Sequence, residues 1–73
     1  MPKLKIKSLL ESPAKEDICE VEEARGRLEY GPQSIVVVEG TIVTSYDELV
    51  RMAGQNQDKE FLEVTVLPVI EGG

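Results

Sequence analysis

Few residues in this 73-residue chain could do chemistry. There is no histidine and a single cysteine, Cys19. Imidazole acid–base catalysis, a Cys/His metal cluster and an internal disulfide are therefore excluded within the chain, and most enzyme classes go with them. Cys19 has no histidine to activate it, and a lone cysteine is most often a small packed side chain, so it is given no role. Glu20, Glu22 and Glu23 carry the oxygens a hard cation would want. Consecutive acids on a helix point in different directions and usually make a solvated face, so no metal is expected. What remains is the end of the sequence, Leu67-Pro68-Val69-Ile70-Glu71-Gly72-Gly73. At the average glycine frequency two final glycines arise by chance in roughly one chain in 200. The bland alternative is a frayed polar end.

Composition narrows the partners. Eight Lys and Arg against 14 Asp and Glu give a net charge of −6, which opposes binding to a phosphate backbone, so no direct contact with nucleic acid is expected. The charge is uneven. Lys3, Lys5 and Lys7 make the first segment basic, while Glu11 to Glu29 holds seven acids against Lys15, Arg25 and Arg27. A basic partner surface would suit that stretch, although acidic solubility is the simpler explanation and is preferred. With 41% hydrophobic residues the chain is too apolar for disorder, and its length allows one small domain, residues 1–70, ahead of a tail at 71–73. No apolar run approaches the roughly 20 residues of a membrane helix, and the start lacks a signal-peptide core, so no membrane contact and a cytoplasmic location are expected.

The elements that must position the tail follow from periodicity. Leu4 and Ile6 alternate with Lys3, Lys5 and Lys7, which predicts a strand from about Lys3 to Leu9. Ser12-Pro13 is a helix N-cap followed by proline at the first helical position, and Asp17 with Glu20 offers a second start. Ile18, Val21, Ala24 or Arg25, and Leu28 then fall on one stripe of a long helix that Gly31-Pro32 should end near Tyr30. The competing pattern folds Ile18 to Val21 back on the first strand as a hairpin and leaves a short helix from about Glu22. The longer helix is the preferred reading.

Ile35-Val36-Val37-Val38 is β-branched without alternation, the pattern of a central strand covered on both faces. Glu39-Gly40 turns the chain into a short strand at Thr41–Thr44. Ser45 and Glu48 form a capping box for a brief helix through Leu49, Val50 and Ala53 that Gly54 should end. Tyr46, Leu49 and Val50 read as its apolar underside. Gln55 to Lys59 reads as a loop. Leu62, Val64 and Val66 alternate with Glu63 and Thr65 in a last strand from about Phe61 to Leu67, where Pro68 should stop regular pairing. The order is strand, helix, strand, strand, short helix, strand. That is an α+β sheet with one main helix and one short one, and the last strand sits centrally if it pairs beside the first.

This plan is the β-grasp, and the residues resemble the sulfur-carrier family of ubiquitin-like proteins, typified by ThiS and MoaD. Ile35 to Val43 resembles the family's strand, tight turn and returning strand; Tyr46 to Ala53 resembles its short helix, and Phe61 to Gly73 its last strand and tail. Pro68 before an apolar residue, with a closing Gly-Gly, resembles the MoaD side. The resemblance implies that Gly73, after Gly72, is adenylated by a partner enzyme using ATP and then becomes a thiocarboxylate. Two residues without Cβ suit a narrow channel to the ATP phosphates. The resemblance implies docking through the sheet face near the tail, assigned to Val64, Val66, Pro68 and Ile70. It also implies an adenylating enzyme and a sulfur-accepting synthase as partners, no cofactor bound by the chain, and no catalysis by the chain itself. Two other readings stay open: a ubiquitin-like modifier conjugated through Gly73, and an acidic interaction module whose tail is inert.

Overall fold

The computed structural model describes residues 1–28 and 30–69. Glu29, Ile70, Glu71, Gly72 and Gly73 lie outside the described residues, and with them the diglycine and the Ile70 docking assignment. The elements are β1 (Lys3–Ser8), β2 (Lys15–Cys19), α1 (Val21–Arg27), β3 (Ser34–Val38), β4 (Thr41–Val43), α2 (Tyr46–Gln55) and β5 (Phe61–Pro68). They form one mixed sheet in the order β2-β1-β5-β3-β4, with β1 and β5 parallel and the other pairs antiparallel. This is an α+β domain of β-grasp-like plan. The last strand is central, as expected from pairing it beside the first.

Both helices lie on one face of the sheet, and the core forms there by strict alternation. Leu4 and Ile6 of β1, Val36 and Val38 of β3, Val43 of β4, and Leu62, Val64 and Val66 of β5 are buried against Val21 and Ala24 of α1 and Leu49 and Ala53 of α2. A strand side chain in such a place contributes about 1.5–3 kcal/mol on leaving water, so this alternation decides which way each strand faces.

The region after β1 differs from the preferred reading. Ser12-Pro13 is not a helix start; its cis peptide bond lies in the loop, and the chain returns as a hairpin strand, as in the competing pattern, but over Lys15–Cys19 rather than Ile18 to Val21. The reason is hydrogen-bond satisfaction. Without β2, the outward amides of β1 would face water along a sheet edge, whereas the pairing Leu4↔Cys19, Ile6↔Asp17 and Ser8↔Lys15 uses them. The helix therefore begins only at Val21, with the Glu20 N–H donating to Glu23 Oε1 at 3.3 Å. It ends at Arg27, where Leu28 is already extended, well before Gly31-Pro32. The expected main helix is thus the shorter of the two, seven residues against ten.

Three further details differ. The β3 strand is covered on one face only, with Ile35 and Val37 half-buried on the other, because both helices pack on the same side. Gly54 lies inside α2, which ends at Gln55 where the Asn56 Nδ2 donates to Met52 O at 2.7 Å and closes the last turn. In the capping box Ser45 Oγ accepts from Glu48 N–H, but the Glu48 carboxylate reaches past it to the N–H and hydroxyl of Thr44.

The β3–β4 turn forms as read. Glu39 and Gly40 have φ of 49° and 83°, the two left-handed residues of a primed hairpin turn. Glycine takes this region freely; Glu39 is held there by partners. Its N–H donates to Glu63 O, its Oε2 accepts from Glu63 N–H at 3.0 Å, and its Oε1 accepts from Lys59 Nζ at 2.6 Å. These contacts draw its carboxyl below the usual range, the Lys59 hydrogen bond most of all.

Candidate functional site

The site begins where β5 leaves the sheet. Contrary to the expectation from its missing donor, Pro68 does not end the pairing. It stays in register opposite Ser34, and the next residue continues, with the Val69 N–H donating to Gln33 O at 3.1 Å. Alternation explains this. Val66 O accepts from Leu9 N–H on the β1 side and Val69 donates on the β3 side, so the nitrogen of residue 68 points toward β1, which has already ended. The missing donor costs no ladder bond. The sheet thus holds the root of the tail up to Val69, directly before Ile70-Glu71-Gly72-Gly73.

The docking residues read from sequence separate here. Val64 and Val66 are 1% and 6% exposed and belong to the core beneath the helices, so they cannot form a docking surface without unfolding it. Pro68 is exposed. Residues of the opposite parity carry the accessible face. Leu67, Ile35 and Val37 lie half-buried on the side free of helices, with Ile42 beside them at 61% exposure. The register confirms their adjacency: Ile35 is opposite Leu67, and Val37 is opposite both Thr65 and Ile42. This apolar half of the open face adjoins the tail root. Sequence reasoning missed it because Ile35 to Val38 contains no polar residue to mark which side is wet.

The other half of the same face is charged. Lys3, Lys5 and Lys7 point away from the helices, with Lys3 Nζ 3.9 Å from Glu20 and Lys5 Nζ stacked 5.4 Å from the Phe61 ring centroid. Glu16, Ile18 and Glu63 flank them across the β1 pairings. This keeps one face of β1 wet, as its alternation implied.

The remaining candidates are structural. Cys19 lies on β2 rather than on a helix, is buried, and its thiol is pushed up mainly by that burial, which leaves it protonated and unreactive at neutral pH. Glu20 and Glu23 serve the start of α1. Among the described residues no three His, Cys, Asp or Glu side chains are grouped to hold a metal ion. Leu49 is fully buried, and the Tyr46 hydroxyl donates to Val21 O at 3.3 Å beneath the Arg25 guanidinium, so this stripe ties α2 to α1. The phenol of Tyr30 is pushed up by burial. No helix among the described residues is long and apolar enough to cross a membrane.

Comparison with protein-family models, with curated proteins and with solved structures finds no match to this chain.

Proposed function

We propose that the chain is a sulfur carrier. The observation that carries the reading is the grip of β1 and β3 on β5, which delivers an ordered tail root at Val69 directly before Ile70-Glu71-Gly72-Gly73. The β-grasp-like strand order and the apolar half of the open face beside that root support it. In this reading a partner enzyme brings ATP to the Gly73 carboxylate. A carboxylate oxygen attacks the α-phosphorus and pyrophosphate leaves, giving an acyl-adenylate. A sulfide-equivalent nucleophile then adds to the acyl carbon and AMP departs, leaving a thiocarboxylate for a sulfur-accepting synthase. The chain contributes a handle and an arm and performs none of these steps alone. Leu67, Val37 and Ile42 take over the docking role assigned to Val64 and Val66, with Pro68 and Ile70 kept at the margin.

The test incubates the protein with ATP, a sulfur donor and a proven adenylating partner. The expected product is heavier by the exchange of one oxygen for sulfur, placed on Gly73 by fragment mass spectra. Transfer of the intact chain to a lysine of another protein identifies a modifier instead. Deletion of Gly72 and Gly73 without any change in partner chemistry identifies the inert interaction module.

A further inference from the structure

We draw no further inference here: the strongest candidate, the helix-side groove that Ile6, Leu28 and Val66 line between the end of α1 and the ends of β1 and β5, carries no proposal because nothing in the structure shows what covers it.

Discussion

The two outer hairpins of the sheet are built on opposite principles. β3 and β4 are joined by two residues, Glu39 and Gly40, whose left-handed backbone twists the strands together and whose contacts reach Glu63 and Lys59. β1 and β2 are joined by the six residues from Leu9 to Ala14, and β2 buries one residue, Cys19. The first hairpin is specified by its turn; the second is specified by what its inner strand needs. A local signal therefore predicts β3–β4 well and β1–β2 poorly, although both become edges of one sheet.

The largest expected effect breaks the second hairpin through its inner strand. Leu4 is fully buried on β1, and Leu4→Ala should cost about 2–5 kcal/mol, read as a lowered denaturation midpoint, because a well-packed site collapses only partly around the cavity. A cost below about 1 kcal/mol would mean that β1 is not the element that recruits β2. Next comes the turn of the first hairpin. Gly40→Val puts a β-branched side chain at φ 83° and should cost about 2 kcal/mol, with loss of hydrogen-exchange protection confined to β3–β4. Equal loss in β1–β2 would show that the hairpins are not separately specified.

A smaller effect sharpens the comparison through pH. The Glu39 carboxyl, held below its ordinary value of 4.5 chiefly by Lys59 and then by the Glu63 N–H, is charged more readily folded than unfolded. The stability it contributes is present above about pH 4.5 and is lost as pH falls through the folded value. Glu39→Gln should remove that part of the acid slope and cost under about 1 kcal/mol at pH 7, since the pair with Lys59 is partly exposed. An unchanged acid profile would place the slope elsewhere, with Glu48 and its Thr44 bonds the next group to test. The smallest effect is on the outer strand. Ile18 is 51% exposed, so Ile18→Ala should change the melting temperature little, within about 0.5 kcal/mol.

The candidate site was legible in the same uneven way. The strand leading to the tail was read from Leu62, Val64 and Val66, and the central place of β5 followed from pairing it with β1. The accessible face was assigned to the wrong parity, since Val64 and Val66 are buried. The pattern of β5 says that two faces differ, yet Leu67 and Val66 are both apolar, and only the position of the helices says which of them reaches solvent.

By itself the sequence determined the properties that neighbours in the chain enforce: the alternation of β1 and β5, the Glu39-Gly40 turn, the Ser45 cap and the exclusion of histidine chemistry. Tertiary structure decided the rest. Ile18 to Val21 fits a helical stripe as well as a hairpin strand, and the helix is the preferred reading; the backbone groups of β1 instead recruit Lys15–Cys19 as a strand. Pro68 remains in the sheet because its nitrogen faces a side where β1 has ended, a fact of strand length in a neighbour that pairs with it from more than 50 residues away. Local patterns fix what a segment can do, and long-range hydrogen bonding and burial choose among those options, because neither a free edge nor an uncovered apolar face exists until the other elements are in place.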